Sequence, residues 1–337
     1  MPVNRSAPAA PAADEDRPRI IVSRPSTGDK IFRTILRVSG WSVFVIVGLI
    51  LTFLIVRAAK AFHLMGFDFL TTQNWIIYSP HHFGIAAILP LGILIAAIAM
   101  LIAVPTGICI ALYISEYSPL ALRKPLIAVI DLMAAIPSII FGIWGLFFLE
   151  PHILGFDSWL GRHLGWIPVF DFRLDSSVPS NYATSTFIAG VVVSLMVIPI
   201  ITSLSGQVFS QAPPGEREGA YALGATRWGM IRTVVLPFGR GGVIGACMLG
   251  LGRALGETIA VTLIVSATFH FNYHVLESGG NSIASTIANE YSSFPDAGSM
   301  GLSALMAAGL VLFGMTLIVN TLGAIVIGRS RSGMATG

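Results

Sequence analysis

Long apolar runs alternate with short polar connections along most of this chain. A membrane-crossing helix needs about 20 mostly apolar residues. Six segments reach that length: roughly 34–58, 84–114, 125–149, 184–210, 238–268 and 301–328. Pro90, Pro105, Pro137 and Pro199 fall inside these runs. Neighbouring helices can satisfy the carbonyls that a proline frees, so these residues do not exclude helix. The pattern therefore predicts an all-α integral membrane protein with six crossings. Residues 1–33, rich in Pro, Ala, Arg and Asp, predict a disordered basic tail. That charged segment is too long for a secretory signal, and the run after it is long enough to span, so 34–58 reads as a retained first helix. The other five crossings form a core over 84–328, broken by a polar loop at 211–237, and 329–337 is a short tail.

Composition agrees with the pattern. Hydrophobic residues make up 54% of the chain and charged residues 11%, against about 25% charged in soluble proteins. Such a chain belongs in a bilayer. Cys109 and Cys247 lie within apolar runs and read as small buried hydrophobes rather than a disulfide.

Charge distribution sets the orientation. Most Lys and Arg fall before residue 34, at Arg123 and Lys124, from Arg217 to Arg240, and at Arg329 and Arg331. The opposite side holds Arg57, Lys60, Arg162 and Arg173. Both termini are thus expected in the cytoplasm, together with the 211–237 loop. The external loops would be 59–83, 150–183 and 269–300, with Trp159, Trp166 and Tyr182 as interfacial anchors.

Little in the loops suggests chemistry. His63, His81 and His82 lack a third ligand at metal-site spacing, so no metal is expected. No Walker A pattern occurs and no G-x-G-x-x-G follows a strand, so the chain has no visible ATP site. Nucleic acid is not an expected partner.

The 211–237 loop is the most informative polar stretch. Pro213, Pro214 and Gly215 end the fourth run, and Glu216 and Glu218 suit the first turn of a new helix. Ala220, Leu223, Ala225 and Trp228 can form a small apolar face, and a second short helix, about 226–235, should stop near Pro237. By physics alone two uses compete. A soluble protein docks here, or the helix rests on the inner leaflet with Arg217, Arg227 and Arg232 on anionic lipid.

The stretch Glu218-Gly-Ala-Tyr-Ala-Leu-Gly224, followed by Val234-Val-Leu-Pro237, resembles the coupling loop of ABC-importer permeases. Glu218, Ala220, Gly224, Leu236 and Pro237 fit that motif, while Gly219 and Val234 stand where the family has Ala and Ile. The resemblance implies the type I ABC importer permease fold. It also implies that a nucleotide-binding subunit grips this loop and uses ATP and Mg²⁺ itself.

The fifth run contains Gly250-Leu-Gly-Arg253-Ala-Leu-Gly-Glu257-Thr258. A charge at mid-helix costs about 2.5–3.5 kcal/mol on insertion scales. Counted from Phe238 at 1.5 Å per residue, Arg253 lies about 22 Å along, too deep for easy snorkelling. On a continuous helix Arg253 and Glu257 share a face and can pair. That pair could be a static bridge. Alternatively the guanidinium fork, matched to a tetrahedral oxyanion, lines an anion path. Glu257 could then hold Arg253 until an anion arrives, repel a second anion, or accept a proton.

This stretch, with Ala-Ala-Ile-Pro-Ser138 and Ile-Ala-Asn289-Glu290, resembles the PstC family of phosphate-specific permeases over residues 34–328. The resemblance implies a homologous permease partner PstA, two ATPase subunits PstB and an external phosphate-binding protein PstS. It implies a multi-pass place in the cytoplasmic membrane and no enzymatic activity of the chain's own. It also implies roles in phosphate passage for Arg253 and Glu257, with Thr258 in the same motif. Ser138 would add a hydroxyl to the path or simply pack, and Asn289 and Glu290 would help form an external docking surface. A permease for phosphonate, molybdate or sulfate, and a secondary anion transporter, are the alternatives.

Overall fold

The computed structural model describes residues 26–77, 82–172, 178–269, 272–296 and 298–332. Residues 1–25 of the expected tail, His81, Arg173 and residues 333–337 lie outside them. Among the described residues six helices are long and apolar enough to cross a membrane: Thr27–Met65, Ile88–Tyr117, Ser138–Leu164, Thr186–Ser210, Arg227–Leu255 and Met300–Val326.

The chain divides into Met1–Ile50 and a body Leu51–Gly337. The first helix, α1 (Thr27–Met65), begins ahead of residue 34 for a local reason. The Ser26 amide donates to the Asp29 carboxylate at 2.9 Å and the Asp29 amide donates to the Ser26 hydroxyl at 3.2 Å. This reciprocal pair satisfies two donors that a helix start leaves free.

After α1 come the short α2 (Asp68–Thr71) and a two-residue antiparallel ladder, β1 (Trp75–Ile76) with β2 (His82–Phe83). Trp75 pairs with Phe83 and Ile76 with His82. Then follow α3 (Ile88–Leu112), α4 (Leu120–Ala135), α5 (Ser138–Trp144) and α6 (Glu150–Leu164). Next are α7 (Thr186–Ser210), α8 (Pro214–Ala222), α9 (Arg227–Met230) and α10 (Leu236–Leu255). The series ends with α11 (Ile259–Ile264), α12 (Ile283–Glu290) and α13 (Met300–Ser332). Single π-turns at Tyr113–Tyr117, Gly145–Leu149 and Ile231–Val235 extend α3, join α5 to α6, and join α9 to α10.

Two crossings differ from the hydropathy reading. The third crossing is Ser138–Leu164, not 125–149. Ile136 precedes Pro137 and is extended (ψ 127°), because the proline ring clashes with a helical predecessor. The apolar run is therefore cut in two: α4 stands alone and the span starts after the proline. Asp131 lies inside the last turns of α4. The fifth crossing runs from Arg227 to Leu255 rather than 238–268. Pro237 does not stop a short helix. It lies just after the π-turn Ile231–Val235 inside a continuous helical run.

In the span α7, 72% of the apolar window is buried, against 28% for Ile88–Tyr117 and 33% for Met300–Val326, so α7 is the axis of the bundle. Glycines permit the close approach that membrane helices need in place of a hydrophobic driving force. Gly190 on α7 lies against Ile98 of α3, and Gly107 of α3 against Ile201 of α7. Gly242 and Gly250 of α10 meet Val208 and Val197 of α7, and Gly323 of α13 meets Met248 of α10.

A side chain at Gly190 would put its Cβ 2.6 Å from Ile98 Cγ2 and 3.3 Å from the Ile95 carbonyl. Gly190→Val is expected to cost about 1–3 kcal/mol by overpacking and to lower the thermal midpoint in detergent. Gly40→Ala, with open space around it, should leave the midpoint unchanged.

Candidate functional site

Where α8 ends, the backbone needs a left-handed residue, and Gly224 supplies it with φ +83°. The Gly224 amide donates to the Tyr221 carbonyl at 2.9 Å and the Ala225 amide to the Ala220 carbonyl at 3.0 Å. These are the two bonds of a Schellman close. Thr226 then caps α9 by accepting from the Gly229 amide at 3.1 Å. The result is a tight helix–turn–helix in which no residue of α8 is buried.

Glu218 and Gly224 are exposed on this unit, while Ala220 is half-buried against a cluster that includes Phe209, Met230 and Ile231. Leu223 stands 91% exposed at the turn, with Tyr221 and Trp228 also exposed. Leu236 and Pro237, the far end of the motif, belong to α10, and Leu236 packs into the same cluster. The motif thus joins an exposed knob to a helix root.

Two of the three arginines that could have faced lipid are turned inward on the protein. Arg217 pairs with Glu116 at 3.1 Å and also donates to the Phe209 carbonyl. The Glu116 side chain is only 4% exposed. Arg227 lies over the Tyr117 ring, 5.3 Å from its centroid. Both contacts tie the α8–α9 unit to the π-turn at the end of the second crossing. The sequence pattern did not signal this anchor, because its partners are about a hundred residues apart.

The second set of expected residues meets a break in the helix. Gly256 leaves the helical region (φ −91°, ψ 1°) and ends α10, so Glu257 does not continue the face that carries Arg253. Arg253 occupies the last turn of α10, where a cation suits the negative end of the dipole. Glu257, 8% exposed, stands before α11, where an acid suits the positive end, and its Oε1 accepts from the Ala260 amide at 3.4 Å. Each charge is matched to its own helix end. Among the described residues no ion pair joins Arg253 to Glu257, so the expected one-face pairing is not formed.

Thr258 donates to the Gly256 carbonyl at 3.2 Å, and its own carbonyl accepts from the Thr262 hydroxyl at 2.8 Å. The Thr262 and Ser285 hydroxyls are hydrogen-bonded to each other at 2.9 Å, fastening α11 to α12. Gly142 of α5 lies against Ala260 and Leu263, and Gly145 against Ile264, so α5 and α11 run side by side in the same direction. Ser138, the first residue of α5, therefore shares a level with Glu257 and Thr258 at the start of α11. Arg253 lies on another face, beside Gly252 and Asn320.

That other face is an open concavity of about 630 Å³, lined by Ile200, Leu249, Gly252, Arg253, Thr316 and Asn320. Arg253 is exposed there and makes no hydrogen bond or ion pair with any described residue. Thr316 and Asn320 were not among the expected residues. A lone amide in the apolar run of α13 was the signal available. Asn289 and Glu290 end α12, the first exposed and the second half-buried.

Residues 103–332 match the family described as binding-protein-dependent transport system inner membrane component. The phosphate transport system permease protein PstC 2 of Mycobacterium tuberculosis is 37% identical over 308 residues, covering 91% of this chain and 94% of its own. PstC of Haemophilus influenzae is 40% identical over 309 residues, covering 90% and 94%. A chain in the crystal structure of a bacterial ABC transporter involved in import of the acidic polysaccharide alginate superposes with a TM-score of 0.53 at 17% identity, covering 89% of this chain and 99% of that one. At that identity the likeness concerns the fold, the type I ABC importer permease arrangement.

Glu116→Gln removes the charge that holds Arg217. A charged hydrogen bond contributes about 1.5–3 kcal/mol, so amide exchange over Pro214–Ala222 is expected to rise roughly tenfold or more. Exchange mass spectrometry in detergent reads this directly. Unchanged exchange would mean that the ion pair does not anchor the unit.

Proposed function

The chain belongs to the binding-protein-dependent transport permeases, within them to the PstC phosphate transport permeases, and from that premise we propose that it is one permease subunit of an ATP-driven importer of inorganic phosphate. In this reading both termini and the α8–α9 unit face the cytoplasm. A homologous permease, PstA, covers the concavity of Arg253. Two PstB subunits, which bind ATP and Mg²⁺, dock on the exposed unit, and PstS delivers phosphate from outside.

The observation that carries the reading is the state of Arg253. A guanidinium at the end of a membrane-spanning helix, exposed and unpaired, is too costly to leave in lipid. Facing a second permease across a polar path, it would offer a planar fork to a tetrahedral anion. Glu257, tied to the α11 start, is free of the guanidinium, which leaves Arg253 available to the anion from the outset.

Coupling follows from the continuity of the fifth span. Arg227–Leu255 is one helical run. A motor that moves the α8–α9 unit as a rigid body would move the root of α10, and Arg253 lies at the other end of that helix. Alternating access would then arise as rigid rocking of helices about the α7 axis.

Two variants test this reading. Arg253→Gln is expected to lower phosphate uptake by at least about tenfold, the loss of one charge-assisted contact, while the assembled complex still purifies. Uptake at the wild-type rate would remove Arg253 from the path. Leu223→Asp is expected to leave the chain in the membrane but abolish co-purification of the ATPase and ATP-dependent uptake, because a charge would replace the apolar knob. Retained co-purification would place the docking surface elsewhere.

A further inference from the structure

We propose that Asn320 on α13 is a second contact for the translocated anion, facing Arg253 across the same concavity. This rests on the phosphate-permease reading. Asn320 lies in the apolar span Met300–Val326, yet its side chain is exposed and makes no hydrogen bond to any described residue. An amide turned to lipid would be left unsatisfied, at a cost that membrane helices avoid. Its neighbours in the concavity are Arg253, Gly252 and Thr316.

The amide lies against α10 beside Arg253: a Cβ on Gly252 would meet Asn320 Oδ1 at 3.4 Å, an ordinary van der Waals contact. Thr316, one turn earlier on α13, donates its hydroxyl to the Phe313 carbonyl at 2.9 Å and so presents only acceptor capacity to the concavity. Asn320 alone on this helix face offers both a donor and an acceptor.

That pairing suits a protonated tetrahedral oxyanion. The Nδ2 amide donates to an anionic oxygen while Arg253 takes others in its fork. The Oδ1 carbonyl accepts from a P–OH group, which phosphate carries near neutral pH. An anion lacking that proton leaves Oδ1 without a partner, and an unmatched buried polar group is where such sites discriminate. No bond is made or broken; the anion is held and released.

The test uses the whole transporter, with both permeases, the ATPase and the binding protein, reconstituted in liposomes with radiolabelled inorganic phosphate. Asn320→Leu keeps the helix apolar and the volume similar. It is expected to assemble normally and to take up phosphate about tenfold more slowly. Asn320→Asp puts a carboxylate beside Arg253 and is expected to lower uptake further, because the carboxylate occupies the fork and repels the anion. Wild-type uptake by Asn320→Leu, as for an amide in contact with lipid, would overturn the inference. So would loss of the assembled complex in Asn320→Leu, which would make the amide a strut between permeases. If the unmodified complex fails to take up phosphate, the functional reading itself fails. If Arg253→Gln is impaired and Asn320→Leu is not, only this inference fails.

Discussion

In hydrocarbon a polar group without a partner is expensive, and the place where α10 gives way to α11 breaks a helix between two apolar runs. The backbone turns out of helix at Gly256 to Thr258, where the Gly256 and Glu257 amides donate back to the Gly252 and Ala254 carbonyls. Glu257 closes the start of α11 and Thr258 caps back onto Gly256. The break also settles the fate of the two charges, since each stands at the end of the helix whose dipole favours it. Glu257 is thereby tied to the start of α11. Arg253 is left with its head in an open concavity and no partner among the described residues. The bundle around this point exists to hold the break in place: α5 lies along α11 through Gly142 and Gly145, α12 is bonded to α11 through Thr262 and Ser285, and α7 backs them all.

The same economy governs the other end of the fifth span. α8 buries no residue fully, and the α8–α9 unit is held by Ala220 and Met230 in the cluster around Phe209 and by Arg217 and Arg227 on the π-turn of the second crossing. A small unit rooted in a continuous helix can move as a body without unravelling. Such a surface is suited to being pushed.

Much of this was legible in the residues. Hydropathy alone located six crossings, since a bilayer demands long apolar runs and tolerates few charges. The start of a short helix in the 211–237 loop could be read because Pro213, Pro214 and Gly215 and the acids after them are local signals. Two boundaries were misplaced for physical reasons. At Pro137 the apolar character continues while the helix does not, because steric exclusion before proline is invisible to hydropathy. At Gly256 a spacing of four suggested a shared face, but spacing implies a face only where the helix is unbroken. The anchor at Glu116 and the concavity shared by Arg253 and Asn320 were not legible, since both are made by helices distant in sequence. Only packing brings them together.

The exposed knob, the continuous helix and the unpaired guanidinium have one purpose in common if ATP used below is converted into anion passage above. ATP-dependent uptake of radiolabelled phosphate into liposomes, by this chain reconstituted with its second permease, ATPase and binding protein, tests that most directly. The expected result is uptake that requires all the components together with ATP. Phosphate transport by this chain alone, without ATP, would contradict the account.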